Sequence, residues 1–428
     1  MLKPILSCLL FFSVAAISPI YIVAQFSRPQ FVPGELLVKL RPAVGNGFFS
    51  RNRVTKLEEL KGSGWTRISA PKGVSLRAAQ TNLLGDPDVM AAQPNYYYYL
   101  DASPDDPRFG ELWGMNKISA PSAWDTSTGS DTTIVAVIDT GIQYTHEDLA
   151  ANIWTNPLEI AGNNIDDDSN GKIDDVHGYD FRFDDPDPND EHGHGTHVAG
   201  TIGAEGNNTL GVAGVNWNVK LMAIKIYDST GLGTTSAMLI NAYNYVTAMR
   251  QRGENIRVTN NSYSGCDEAC GYDQATKDAL EAMGQAGVLN VFAAGNANTD
   301  IDASPAYPGA YTSPSVFTVA SSTSTDTRSG FSNFGVENVD IAAPGSGILS
   351  TIFNGTGYGV KSGTSMASPH VAGAAALLSS HNAALSASSL QATLMNSADQ
   401  LAAWDGVVRS GARLNIANAL SNQTQCDI

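Results

Sequence analysis

Cysteine is scarce in this chain, basic residues are outnumbered, and after the first 25 positions no apolar run is long enough to cross a bilayer. The four cysteines are Cys8, Cys266, Cys270 and Cys426. None has zinc-ligand spacing, and no H-E-x-x-H run occurs, which removes the commonest zinc signatures. With 25 Lys and Arg against 42 Asp and Glu, the formal net charge is −17, so nucleic acid and anionic lipid are poor partners. There is no internal repeat and no low-complexity tail. The length, 428 residues, of which 43% are hydrophobic, leaves room for one large domain with a smaller unit beside it.

The N-terminus departs from the rest. Met1-Leu2-Lys3 leads into ILSCLLFFSV at 5–14, apolar to about Ala24 and interrupted by Pro19. This reads as a secretory leader over 1–25. A retained anchor is the other reading, and Pro19 and the Val23-Ala24 end favour cleavage. The mature protein is therefore expected outside the cell and free of the membrane. Export permits disulfides, and since Cys8 lies in the leader, three cysteines remain, an odd number that leaves the pairing open. Charge divides unevenly: residues 26–100 have a net charge of +5 and residues 101–428 a net charge of −23. The basic segment is attracted to the acidic one.

From Phe31 the chain opens with an alternating run, GELLVKL at 34–40, expected as a strand, and the segment closes on MAAQPNYYYYL at 90–100. Between them, RVTKLEEL and VSLRAAQTNLL carry apolar residues at helical spacing, so 26–100 reads as a small α+β unit. DASPDDP at 101–107 reads as an exposed linker. Beyond it, TIVAVI (133–138), KLMAIKI (220–226), VLNVFAA (288–294) and SVFTVAS (315–321) are apolar on both faces. They are separated by helical stretches, among them HVAGTIGA, SAMLINAYNYVTAMR and QATKDALEAMGQAG. That pattern predicts the α/β class, a doubly wound, mostly parallel sheet with helices on both faces.

Three runs carry chemistry. Asp139 follows TIVAVI and precedes Thr140-Gly141, which sets a carboxylate at the carboxyl end of a strand, where open α/β sheets build their sites; a turn-capping role is the plainer reading of such a residue alone. EHGHGTHVAGTIG at 191–203 places His192, His194 and His197 at a glycine-rich helix start. KSGTSMASPHVAGAAALL at 361–378 sets Ser365 at the start of a small-residue helix, where backbone N–H groups and the helix end favour an anion on an attacked carbonyl. An isolated serine there is more simply an N-cap.

VIDTG, HGTHVAG and GTSMASPHVAG occur in that order across more than two hundred residues, and in this the chain resembles the subtilisin family, with thermitase-like features, from about Asp105 to Leu420. The resemblance implies a serine endopeptidase. Ser365 is the implied nucleophile, His194 the general base and acid, and Asp139 the group that orients His194, an order of Asp, His and Ser matched from subtilisin itself. Asn296, in VFAAGNAN at 291–298, matches the oxyanion donor. Substrate is implied to add as a strand between Gly231-Leu232-Gly233 and Ser262-Tyr263-Ser264-Gly265. Ala293, Ala294 and Ala306-Tyr307-Pro308 are implied to line the pocket before the cut, with a broad preference for apolar or aromatic residues.

The same resemblance implies structural calcium. GNNTLGV at 206–212 matches a calcium loop, with Asn208 as side-chain ligand, the carbonyls of Gly206, Leu210 and Val212 beside it, and Asp148 and Asp106 completing the set. A second candidate comes from the residues themselves. IDDDSNGKIDD at 165–175 offers Asp166, Asp168, Asn170 and Gly171 at the opening spacing of an EF-hand loop, with His177 at the twelfth place, so Asp174 or Asp175 must substitute. A solvated acidic loop is the plainer alternative, and calcium is the reading favoured.

Residues 26–100 resemble the subtilisin prodomain, an intramolecular inhibitor and folding aid, with self-cleavage expected between Tyr98 and Asp105 and a monomeric catalytic domain over 101–428. Proteins and peptides are the expected partners. Two other function classes stay open here, a silent peptide-binding relative of the same fold and a calcium-binding adhesive protein. Neither accounts for Asp139, His194, Asn296 and Ser365 occurring together.

Overall fold

The computed structural model describes residues 31–97, 103–264, 272–354 and 357–424. The expected leader, most of the expected cleavage segment, Gly265 and all four cysteines lie outside the described residues.

The N-terminal unit is a four-stranded antiparallel sheet in the order β2-β3-β1-β4, from β1 (Phe31–Leu40), β2 (Thr55–Leu60), β3 (Trp65–Ser69) and β4 (Val89–Tyr96), with helices α1 (Gly47–Arg51) and α2 (Leu76–Leu84). Leu36, Val38, Phe48, Ile68, Ala79 and Leu83 form its own small core. One expectation is corrected: RVTKLEEL is the edge strand β2, not a helix. Its apolar residues Val54, Leu57 and Leu60 recur at three, but the register skips Leu57 as a bulge between Lys56 and Glu58. Leu57 is left 43% exposed. Pairing with β3 thus overrode a spacing that would suit a helix.

The second unit is built on a nine-stranded sheet in the order β14-β15-β11-β10-β9-β8-β5-β7-β6. Its strands are β5 (Gly129–Asp139), β6 (Gly178–Asp180), β7 (Asn218–Lys225), β8 (Ile256–Asn261), β9 (Leu289–Ala293), β10 (Val316–Ser322), β11 (Ile341–Pro344), β14 (Asp399–Gln400) and β15 (Ala412–Arg413). Every pairing is parallel except β14 with β15. A hairpin, β12 (Ile348–Ile352) and β13 (Gly357–Lys361), stands apart.

Alternation along β5 assigns the two covers. Ile134, Ala136 and Ile138 share a core with Tyr243, Val246 and Met249 of α6 (Ser236–Arg252) and Leu280 and Met283 of α7 (Gln274–Gln285). Val135 and Val137 face the opposite core, with Val198 and Ile202 of α5 (His194–Gly203) and Val371 and Ala374 of α8 (Thr364–His381). The fold is therefore α/β and doubly wound. Among the described residues, no helix is long and apolar enough to cross a membrane.

The chain passes from β5 to β7 on one side and returns through β8 on the other, so strand order reverses at β5 and β8. Ligand sites of open α/β sheets form at such a reversal, outside the carboxyl ends of the strands. Close approach there demands glycine. A Cβ on Gly195 would lie 2.1 Å from the Gly141 carbonyl oxygen and 3.1 Å from Asp139 Cβ. Gly195→Ala should therefore force the loop after β5 away from α5 at a cost of about 1–3 kcal/mol. A fall in Tm is expected, and an unchanged Tm would contradict the contact.

Candidate active site

Asp139 is the last residue of β5 and His194 the first of α5. The His194 ring meets the Asp139 carboxylate, Nδ1 to Oδ1, at 2.7 Å. A carboxylate only accepts, so Nδ1 donates and Nε2 is left as the acceptor. The Thr140 amide holds the same oxygen at 2.8 Å. Burial opposes charge on the His194 ring, but the Asp139 carboxylate and its hydrogen bond outweigh that, and the pKa stands above the ordinary imidazole value.

Ser365 stands in the first turn of α8. Pro369, four residues on, lacks an N–H, so the Ser365 carbonyl has no helical donor. The Ser262 hydroxyl supplies one at 3.0 Å, and the Ser365 hydroxyl donates to the Ser262 carbonyl at 3.1 Å. This reciprocal pair ties the end of β8 to the start of α8. Asn296 follows β9, and its Oδ1 is held by the Thr364 amide (2.8 Å) and hydroxyl (3.0 Å). With its oxygen accepting these two bonds, the Asn296 amide nitrogen remains as a donor. A point one carbon off Gly363 Cα lies 3.6 Å from both Asn296 Nδ2 and the Ser365 backbone nitrogen. Two donors therefore border one small space beside the serine.

These groups share one cleft of about 320 Å³, lined by Asp139, His192, His194, Thr230, Gly231, Ser262, Tyr263, Ser264, Ala293, Asn296 and Ser365. A second cavity of about 400 Å³ adjoins it through Tyr227, Gly231, Tyr263 and Ser264 and extends to Leu232, Gly233, Tyr307, Pro308 and Tyr311. Among the described residues its one carboxylate, Asp273, is engaged capping α7 through the Thr276 amide and hydroxyl. Tyr263 is turned inward, donating to Asn261 and linked to the Tyr243 hydroxyl. Ala294 lies beneath the cleft wall, packed with Ile301, Ala320, Val339 and Trp404, because it follows Ala293 on the alternating strand path.

The other histidines do different work. His197 is buried, its Nε2 reaching the Ile348 and Gly359 carbonyls at 2.9 and 3.2 Å, and burial pushes its pKa down to about 3. His370, buried in α8, is pushed down to about 4.

Two clusters of oxygen donors are candidates to hold a hard cation. In the first, Asp106 and Asp148 are both buried. Asp106 accepts the Asn207 amide through Oδ2, while its Oδ1 is buried with no hydrogen-bond partner. Asp148 accepts from Asn208 Nδ2 and from the Val212 amide, each at 2.9 Å. Burial raises both carboxyls, Asp148 to about 6. Two buried carboxylates, one orphaned oxygen and the loop of Gly206, Asn208, Leu210 and Val212 beside them fit a dication held by oxygen.

In the second, oxygens of Glu159, Asp168 and Asp175 lie within 4.8 Å of one another. Glu159 was not legible beforehand, since it precedes the acidic loop and fits no spacing in it. Asp168 also meets Arg252 at 2.7 Å. Asn170 turns its amide toward Asp168 and Asp175. Asp166 and Asp174 are engaged elsewhere: Asp166 caps the Asn170 and Gly171 amides, and Asp174 the Asn163 and Asn164 amides.

The chain is similar to known proteins over most of its length. A model of the subtilase family matches residues 130–418. Thermitase of Thermoactinomyces vulgaris is 37% identical over 74% of this chain and 99% of its own length. A thermophilic serine proteinase of Bacillus sp. (strain AK1) is 34% identical over 82% of this chain and 79% of its own. Among solved structures, a cold-adapted subtilisin-like serine proteinase superposes with a TM-score of 0.54 at 32% identity, covering 71% of this chain and 97% of the other. A protease of Pseudoalteromonas arctica gives 0.61 at 30%, covering 75% and 99%.

The imidazoles should titrate apart. Histidine-resolved NMR is expected to show His194 titrating above the ordinary 6.5 and His197 and His370 still neutral at about pH 5. Because the unfolded chain protonates these two near 6.5, their contribution to stability is full above that pH and declines as the pH falls toward their folded values. Protonated His197 in the folded protein at pH 6 would contradict this.

Proposed function

Because this chain belongs to the subtilase family of serine proteases, we propose that it is a secreted endopeptidase in which Asp139, His194 and Ser365 are the catalytic triad and Asn296 an oxyanion donor. The observation that carries the proposal is the 2.7 Å bond between His194 and Asp139 in the cleft that also holds Ser365. With Nδ1–H held by Asp139, Nε2 is free to take the Ser365 proton. The Ser365 hydroxyl leaves the Ser262 carbonyl, and its oxygen attacks the scissile carbonyl as the proton passes to His194. The carbonyl oxygen becomes an anion, received by Asn296 Nδ2–H and the Ser365 N–H. Collapse expels the amine, which takes the proton from His194, and leaves an acyl group on Ser365. Water, deprotonated by His194, attacks the ester, and His194 returns that proton to the departing Ser365 oxygen as the carboxylic acid product is released. In subtilisin itself, removing the asparagine donor costs about 10²–10³ in turnover.

Substrate would extend along Gly231-Leu232-Gly233 on one side and Ser262-Tyr263-Ser264, continuing into Gly265, on the other. Tyrosines 227, 263, 307 and 311 around the second cavity support a broad preference for apolar and aromatic residues before the cut. The +5 charge of residues 26–100 against the acidic remainder supports a prodomain that inhibits in cis until removed between Tyr98 and Asp105.

Calcium, in this reading, is structural. Asp106, Asp148 and Asn208, with the carbonyls of Gly206, Leu210 and Val212, would hold one ion. Glu159, Asp168 and Asp175 would hold a second, with Asp166, Asn170 and Asp174 shaping its loop. Either ion would neutralise carboxylates that burial otherwise penalises. Chelation at pH 8 is expected to lower Tm and speed self-digestion, with calcium restoring both. An unchanged Tm would refute both sites.

The deciding assay compares secreted wild type with Ser365→Ala on casein and on a peptide with a large apolar residue before the cut. Wild type should cleave both, and the variant should neither mature nor cleave. A correctly processed but inert wild type would point instead to a peptide-binding module on the same fold.

A further inference from the structure

Four residues before His194 stands a carboxylate that no motif marks. Asp190 is fully buried, and among the described residues no basic side chain pairs with it. It accepts five hydrogen bonds. Oδ1 receives the His192 amide (2.9 Å), the Gly193 amide (2.8 Å) and the Thr140 hydroxyl (2.9 Å). Oδ2 receives the Thr196 amide (2.9 Å) and the Thr196 hydroxyl (2.6 Å).

The donors come from two separate pieces of chain. Thr140 directly follows Asp139, and while donating to Asp190 it accepts the Gly195 amide at 2.9 Å. Gly195 directly follows His194. Thr196 in turn accepts the Gln143 amide at 3.0 Å. The residue after His194 thus bonds directly to the residue after Asp139, and the Asp190 carboxylate ties that same threonine to the start of the helix. We propose that Asp190 is a positioning residue that holds His194 in register with Asp139 and offsets the positive end of the helix on which His194 stands.

The second half of this follows from where His194 sits. It is the first residue of a ten-residue helix, and the partial positive charge there disfavours the imidazolium that catalysis must form. A buried anion bonded to the same helix start counters that. Asp139 faces the ring from β5, Lys361 from β13 acts in the opposite sense, and His192 and His197 lie on either side along the chain. Asp190 is the one carboxylate among these that is tied to the helix itself.

The proposal rests on the reading of His194 as general base. Its test uses full-length protein carrying Asp190→Asn or the milder Thr140→Val, each matured and counted by titration with a serine-directed inhibitor. An amide at 190 sets an N–H against N–H donors, so kcat per titrated site should fall about 10²-fold, the penalty of a small misplacement, with KM little changed. The acid limb of kcat should move to lower pH, since the imidazolium loses an anion, and His194 should titrate lower by NMR. Thr140→Val keeps the charge and loses the link, so kcat should fall without movement of the acid limb. If Asp190→Asn does not mature, Thr140→Val decides alone. Unchanged kcat per titrated site alongside a lowered Tm would reduce Asp190 to a cap and overturn the proposal. An inert wild type would instead sink the protease reading, and the His194 titration in Asp190→Asn would still judge the electrostatic claim.

Discussion

One hydrogen bond, from His194 to Asp139, joins the first residue of a helix to the last residue of a strand, and most of the fold around it serves to let those two ends meet. A helix packed over a parallel sheet normally stands off by the length of its side chains. Here Gly195 sits where any Cβ would overlap the Gly141 carbonyl. Gly193, with φ of +85°, makes the turn into the helix. Residues 133–139 of the strand and 195–203 of the helix are all buried, so the bond is set by packing and not by the reach of flexible side chains.

Ser365, the proposed nucleophile, is held by a different device. α8 is buried along nearly its whole length, with alanine and glycine at its contacts, and Pro369 removes one helical hydrogen bond just after Ser365. That defect is answered by Ser262, so the helix start is fastened to the end of β8 and, through Thr364, to Asn296 after β9. The carboxyl ends of three neighbouring strands, β5, β8 and β9, thereby fix Asp139, Ser365 and Asn296 about one cleft.

The oxygen cluster of Asp106 and Asp148 lies away from the cleft, yet it is mechanically linked to it. His146 accepts the Asp148 amide through Nδ1 and reaches the Gly357 carbonyl through Nε2 at 2.9 Å. His197 grips the same hairpin from α5. That hairpin runs through Lys361 directly into Gly363-Thr364-Ser365. A cation that settles the two buried carboxylates would therefore steady the path into the helix of Ser365.

Read alone, the sequence carried the α/β class, four of the central strands (β5, β7, β9 and β10), the helices α5 to α8 except their exact ends, and the motifs that hold Asp139, His194, Asn296 and Ser365. Each is written in a local signal: apolar runs for buried strands, helical spacing for covers, glycine-rich motifs for turns that only glycine can make. Tertiary structure decided what depends on partners far along the chain. The pairing of β2 with β3 turned RVTKLEEL into a strand, alternation at the end of β9 buried Ala294, and Glu159 joined Asp168 and Asp175 through loop folding. Asp190 shows the same limit most clearly. Nothing in its neighbours distinguishes it from a surface aspartate, because its role comes from donors on the loop after β5, and a buried charge is defined by what surrounds it in space.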